Sequence, residues 1–424
     1  MVRETLKAIW AIIICVLLPI EVNGKENTMT GIFNEDFRTI VTEVNGDRMS
    51  PPVIGINSNE TLTIGFDALR EERDYLRYSI YHCDADWSLS DVADTEVFDG
   101  FNYADITDYA FSRATAVHYI HYSVTLPNEE FSFRLSGNYI LRVYPENDPD
   151  DILLQVRFMV TEGSVAIRGE ASSRTDTDYN ERHQQLTLDV DLNKYPVRDP
   201  FNDLTLVVTQ NGRHDNEVTV RHPARVSGNS AIYEHLKELI FPGGNEYRRM
   251  ETVQQTYPGM GVEEIAFHDP YYHHILKMAE PRHSKPYYFD QTQHGRYFVR
   301  EYNSSNSDTE ADYCVVHFTL KMLPVMDGDV YIDGDLTYRH FDDSSQMKYD
   351  DEAGVYHKAL LLKQGAYNYQ YLTVPRSGDG TARTADVEGD FHQTVNEYEV
   401  KVYYRAPGER YDRLLGVTLI YSGR

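Results

Sequence analysis

Cysteine and tryptophan are scarce in this chain, with three and two residues among 424. Cys15 sits in the apolar N-terminal run, which leaves Cys83 and Cys314. Two distant cysteines exclude a disulfide framework. They read as small core residues. Cys314, Val316, Phe318 and Leu320 alternate onto one face, which supports this. Basic residues are also in deficit: 40 Lys and Arg face 67 Asp and Glu, a formal charge of -27. Such a field repels nucleic acid and anionic lipid and favours basic partners. After residue 20 no apolar run approaches membrane-spanning length. There is no His-Glu-x-x-His, no Gly-x-Ser-x-Gly, no phosphate loop and no pair of cysteines at metal spacing. Gly259-Met260-Gly261 lacks the third glycine of a dinucleotide turn. The sequence therefore assigns no catalytic, cofactor-binding or metal-binding residue, and the chain reads as a non-enzyme.

What is present begins with Arg3, Lys7 and an apolar run from Ala8 to Ile20, followed by Glu21-Val22-Asn23-Gly24-Lys25. A short basic region, a short apolar core and a small residue predict a signal peptide over 1–24, cut after Gly24. Beyond it, alternation dominates. Leu62, Ile64 and Phe66 share a face; so do Leu154, Val156, Phe158 and Val160; Leu186, Leu188, Val190 and Leu192; and Tyr398, Val400, Val402 and Tyr404. Period-two runs bounded by Gly and Asn/Asp turns, with 33 tyrosines, predict an all-β chain. Tandem β-sandwiches of immunoglobulin-like or early-set-like type are expected. The polar stretch Thr161 to Gln185, with room for one short strand, marks a first boundary. Met322-Leu323-Pro324 marks a second. The expected division is an N-terminal sandwich over 25–162, a central β domain over 163–322 and a C-terminal sandwich over 323–424. Asn303 to Ala311 reads as a polar loop. Ala231 to Ile240 fits either a short helix or a strand end.

Several groups of residues invite chemistry. His268, His273, His274, His283 and His294 lie in one window beside Asp269. Imidazoles bind zinc, but structural sites are spaced more tightly, so solvent-facing histidines are expected. Glu146 to Asp151, and Asp327 to Asp335, gather oxygen ligands without matching the calcium-loop template, and turns favour Asp and Gly anyway. Asp84 and Asp86 beside Trp87 suggest a glycosidase pair, yet they are only two residues apart. The expectation is that Trp87 anchors a loop and the acids bond turn amides. Tyr367, Tyr369 and Tyr371 share a strand face and offer either a binding platform or ring packing across strands.

Three clusters carry a resemblance. The first is Tyr81-His82-Cys83-Asp84-Ala85-Asp86-Trp87-Ser88, continuing through Phe98-Asp99-Gly100-Phe101, Ile106-Thr107-Asp108-Tyr109, Ser112, Thr115, Tyr119-Ile120-His121-Tyr122 and Leu126-Pro127. The second is Phe241-Pro242-Gly243-Gly244-Asn245-Glu246-Tyr247-Arg248. The third comprises Pro281-Arg282, Tyr287-Tyr288, Asp290 and Gly295-Arg296-Tyr297, where His294-Gly295 replaces the usual Asn-Gly turn. Together they resemble the plug proteins of the type IX secretion system of Bacteroidota. The resemblance implies a periplasmic, non-enzymatic protein at the inner face of the outer membrane. It would be a monomer within a hetero-complex, sealing the translocon barrel when no substrate is engaged. The partner interface is not assigned, but the aromatic-rich connection from Ser88 to Ala114 is the candidate contact. The stretch from Gly328 to Tyr371 resembles an early-set sandwich of the glycogen-binding type. Tyr338 and Phe341 stand there, but no Trp platform. This keeps open an alternative, a cell-envelope carbohydrate-binding protein.

Overall fold

The computed structural model describes residues 27–98, 101–378 and 380–423. The expected leader over 1–24 lies outside them. The described chain is nearly all β and forms three sandwiches, so the all-β expectation holds. In the first, one sheet runs Gly31–Ile32, Leu154–Thr161, Gly137–Pro145, Leu76–Cys83 and Ala104–Asp105, with Val53–Gly55 parallel to Leu154–Thr161. The facing sheet runs Phe37–Val44, Leu62–Ala68, Ile120–Leu126 and Asp108–Phe111. Alternation explains the core: Leu62, Ile64, Phe66, Val156 and Phe158 all point inward and are buried. Phe66 stacks on Tyr122 with ring centroids 5.5 Å apart.

The second sandwich pairs a sheet built on Ala166–Ser172, His183–Asp191, Ser230–Tyr233 and Arg225–Ser227 with one running Val218–Val220, Leu204–Gln210, Glu397–Tyr404 and Arg413–Tyr421. The third has Gly365–Val374 at the centre of one sheet, flanked by Arg248–Glu251, Tyr297–Val299 and Asp329–Asp333. Its other sheet runs Val262–His268, Tyr271–Leu276, Tyr313–Leu320, Val355–Lys363 and Lys348–Asp350.

The expected divide between 163–322 and 323–424 does not follow the sheets. Tyr313–Leu320 pairs with Val355–Lys363 across it, with Cys314 opposite Leu362. Glu397–Tyr404 returns to pair with Leu204–Gln210, with Val402 opposite Leu206. The third sandwich is thus inserted into the second. Met322-Leu323-Pro324 ends a strand, because proline cannot continue the ladder, but the loop stays within one sandwich. Sheets do change between Thr161 and Ala166, and the polar passage holds the strand Ala166–Ser172. Ala231 to Ile240 is a strand end followed by the single 3-10 turn Lys237–Leu239. The loop over 303–311 contains one helical turn, Ser307–Glu310, whose N-cap Asn306 accepts from the amide of Asp308. Both remaining cysteines are buried and neither forms a disulfide.

Candidate partner surface and the joints that hold it

The strand Leu76–Cys83 runs into a turn in which Trp87 takes a positive φ of 64° and its amide bonds the Asp84 carbonyl at 2.9 Å. The ring is buried, with Arg157 stacked over it at 4.3 Å. Trp87 therefore anchors its loop as expected. Asp86 bonds the nearby amide of Ser88 at 3.0 Å. Asp84 behaves differently, because it reaches into the second sandwich. It pairs with Arg405 at 2.6 Å and accepts from the Asp412 amide at 3.1 Å, while Asp412 accepts from the Ala85 amide at 2.9 Å. An acid committed this way is not half of a glycosidase pair. Around it Cys83, Ala85, Trp87, Ile140 and Met159 close on Val207, Tyr403 and Leu414 as a small apolar cluster. Tyr403 donates to the Asn138 side chain at 2.7 Å.

The second sequence cluster crosses from the second sandwich into the third. At Gly243 a Cβ would fall 2.4 Å from the Phe391 carbonyl oxygen, so only glycine fits. Asn245 donates to the Glu388 carbonyl at 2.8 Å. Glu388 is fully buried between Arg248, at 2.9 Å, and Arg282, at 2.7 Å, and accepts from the Tyr371 amide. Burial pushes its carboxyl up, but the two guanidiniums outweigh this and hold it down at about 2. The third cluster completes the same joint. Tyr287 donates to Glu246 at 2.6 Å, and Arg296 pairs with Glu397 at 2.5 Å.

The first and third sandwiches meet at Asp67 and Lys363, both buried and 2.5 Å apart. Asp67 also accepts from Tyr313 at 2.6 Å and bonds His121 at 2.7 Å. Lys363 donates to the Asp308 carbonyl at 2.6 Å and lies 4.1 Å from the Tyr119 ring centroid. Burial works against the Asp67 charge, and Lys363 and His121 more than offset it, so the carboxyl sits below its usual range. Tyr297 donates to the Ile40 carbonyl at 2.8 Å across the same seam. The three clusters thus map largely onto the places where sandwiches join.

The surface these joints hold out to solvent is aromatic at one end of the first sandwich. In the connection from Ser88 to Ala114, Phe98 is buried, but Phe101 is 77% exposed, Tyr103 49% and Phe111 51%. Tyr75, at 66%, precedes the strand that pairs with Ala104–Asp105. Arg73 lies between Tyr75 and Tyr109, 4.9 and 4.2 Å from the ring centroids. Arg77 covers Tyr103 at 5.4 Å and pairs with Asp105 at 2.6 Å. Exposed aromatics braced by guanidiniums are suited to an interface core.

The remaining sequence candidates do not converge. His273 bonds His317 at 2.8 Å, a partner the window missed, and His268 lies edge-on to His273. His274 is fully buried, which pushes its imidazole down to about 4. No group of three or more His, Cys, Asp or Glu among the described residues is placed to hold a metal. In the second acidic loop Asp329 pairs with Arg376 at 3.0 Å and Asp335 with Arg339 at 2.9 Å. Tyr367, Tyr369 and Tyr371 are buried and spent on ring packing: Tyr367 stacks on Tyr297, and Tyr369 meets Phe318 and Tyr371 edge-on. Tyr338 turns toward the first sandwich, with its hydroxyl 3.3 Å from the Ile40 amide. Asp67, Lys363 and Glu388 were not singled out from sequence. For Asp67 the available signal was a lone charge within the apolar run Leu62–Ala68; Lys363 shares its strand with Lys358, and Glu388 lies in neither strand.

A family model described as type 9 secretion system plug protein, first domain, matches residues 37–162. The crystal structure of a hypothetical protein from Parabacteroides merdae ATCC 43184 is 41% identical and superposes with a TM-score of 0.92, covering 93% of this chain and 99% of that one. A Pseudomonas fluorescens alkylpurine DNA glycosylase AlkC bound to DNA is 8% identical over 30% of each chain, and its TM-score of 0.16 carries no argument. No curated protein matches the chain. The family model falls on the first sandwich, so the chain carries the first domain of the type IX secretion system plug proteins.

Proposed function

We propose that this protein seals the outer-membrane translocon barrel of the type IX secretion system from the periplasmic side when no substrate is engaged. The plug-protein first domain supports a secretion-related role. The observation that carries the sealing role is the set of three joints. Each pair of sandwiches is tied by side-chain contacts, most of them buried, so the molecule presents one stiff body. A stiff body can occlude a pore, whereas three loosely strung modules would let solute pass. Among the described residues no helix is long and apolar enough to cross a membrane, and the protein reaches the membrane through its partner. The exposed aromatic end of the first sandwich is the contact, and the charge of -27 favours a basic rim on the barrel.

The test is in-cell crosslinking from positions 101, 103 and 111, with identification of the captured partner, alongside uptake of a large hydrophilic antibiotic in cells lacking the protein. Capture of the translocon barrel with increased uptake is expected. Normal impermeability in the deletion strain would overturn the sealing role. The carbohydrate reading loses its platform, because the tyrosines that suggested it are inside the core.

A further inference from the structure

The three sandwiches do not fill the space where they meet. A cavity of about 210 Å³ lies there, lined by all three. The first sandwich contributes Trp87, Arg157 and Phe158, the second His214 and Lys401, and the third Arg339. Most of the lining cations are already answered. Arg339 pairs with Asp335, Arg296 with Glu397, Arg48 with Asp308 and Lys401 with Glu217. Arg157 is the exception. Its bonds go to neutral groups: Nε to the Thr28 carbonyl at 2.7 Å and one terminal nitrogen to the Thr28 hydroxyl at 2.8 Å. No carboxylate among the described residues bonds it. Glu217 acts on it through space but is bound to Lys401 at 3.0 Å. Burial accordingly disfavours its charge and pulls its guanidinium down to about 10.

A second polar group in the same wall is also unanswered. Nδ1 of His214 is buried and has no partner among the described residues. Burial, then Arg157, Lys401 and Arg339, push the imidazole well below its usual value, so it stays neutral and is able to donate one hydrogen bond. Beside Arg157 the wall has an apolar patch, Met159 and the Trp87 ring. One uncompensated positive charge, one free neutral donor and an apolar patch define a chemistry. A doubly charged anion would exceed the single free charge, and a neutral apolar molecule would leave both polar groups unanswered.

We propose that the cavity at the three-way junction binds a small monocarboxylate with an apolar body, its carboxylate on Arg157 and His214 and its body against Trp87 and Met159. Such a ligand bridges the first and second sandwiches where they meet the third, and its occupancy tightens that joint. The volume suits a molecule smaller than a typical drug. The carboxylate has two possible sources, a free small molecule or an acidic side chain of a partner inserted through the mouth of the cavity.

Trp87 makes the test direct. In the chain from Lys25 to Arg424, which holds all three sandwiches, it is the sole tryptophan. Its fluorescence is titrated with benzoate, with benzamide as the neutral isostere and with inorganic phosphate. The expected result is saturable quenching by benzoate, with benzamide and phosphate each at least tenfold weaker. Arg157→Gln should weaken benzoate at least tenfold while circular dichroism is unchanged. If the variant does not fold, the comparison of benzoate with benzamide on the unaltered chain still decides. Equal response to benzoate and benzamide, or no saturable response to either, overturns the proposal. Competition between benzoate and the purified translocon barrel would identify the partner's side chain as the source, and its absence a free carboxylate.

Discussion

Between the first and second sandwiches lie Cys83, Trp87, Ile140, Met159, Val207 and Leu414, an apolar seam fringed by polar bonds. Between the first and third lie Asp67, Lys363 and Tyr313, a charged seam with almost no access to water, with His121 partly exposed at its edge. The two are built on different physics. Apolar contact is non-directional and tolerates small displacements. A buried ion pair is costly to desolvate and repays this only in one geometry. The first seam therefore supplies adhesion, and the second fixes where the third sandwich sits. The proposed sealing role would draw on both, because a body that adheres but swivels does not keep a pore closed.

The largest expected effect breaks the charged seam. Asp67→Ala strands Lys363 in a dry site and should lower the unfolding free energy by about 3–5 kcal/mol, measured by denaturant titration. Asp67→Leu combined with Lys363→Met should recover most of that loss. If the double variant is as weak as the single one, charge is not what the seam requires. Next comes acid. The carboxyl of Glu388 is held at about 2 in the folded protein, below the ordinary 4.5. Its stabilisation is therefore complete above pH 4.5 and is lost as the pH falls through 2. This amounts to about 3 kcal/mol. Glu388→Gln should flatten that limb of the stability curve, and an unchanged slope would assign the acid sensitivity elsewhere.

The apolar seam should respond less to a polar change. Tyr403→Phe removes the donor to Asn138 and should cost about 1–2 kcal/mol, with no dependence on salt. A loss comparable to that of Asp67→Ala would erase the contrast between the seams. The smallest effect on stability is expected at the exposed end. Phe101→Ser with Tyr103→Ser should change the unfolding free energy by no more than about 0.5 kcal/mol, yet reduce co-purification of the translocon barrel. Complex formation should also weaken as salt rises, given the charge of -27. Intact binding by the folded double variant would move the contact to another surface.

Alternation made the strands legible. Leu62–Ala68, Leu154–Thr161, His183–Asp191 and Glu397–Tyr404 each cover a run whose apolar residues share a face. Such a pattern states which face is buried but not which strand lies beside it. The insertion was therefore invisible, since nothing in Tyr398, Val400 and Val402 names Leu204–Gln210 as their neighbour. Local bonds such as Asp86 to Ser88 were legible for the same reason that Asp84 to Arg405 was not: one spans two residues and the other 321. The resemblance clusters were recognised without their role. A glycine pair reads as a turn, and only the Phe391 carbonyl against Gly243 shows that two stretches of chain pass there at van der Waals distance.

The insertion also sets an order in time. Leu204–Gln210 is synthesised long before Glu397–Tyr404 and Arg413–Tyr421, the strands that complete its sheet. Until they arrive, one edge of that sheet has no neighbour, while the first sandwich and the inserted one each already hold every strand they need. The last 28 residues act as a clasp. A chain cut short before them keeps two finished sandwiches and leaves the middle one open, with its unpaired edge exposed to other chains. Only a chain that carries both strands closes all three sandwiches into a single body.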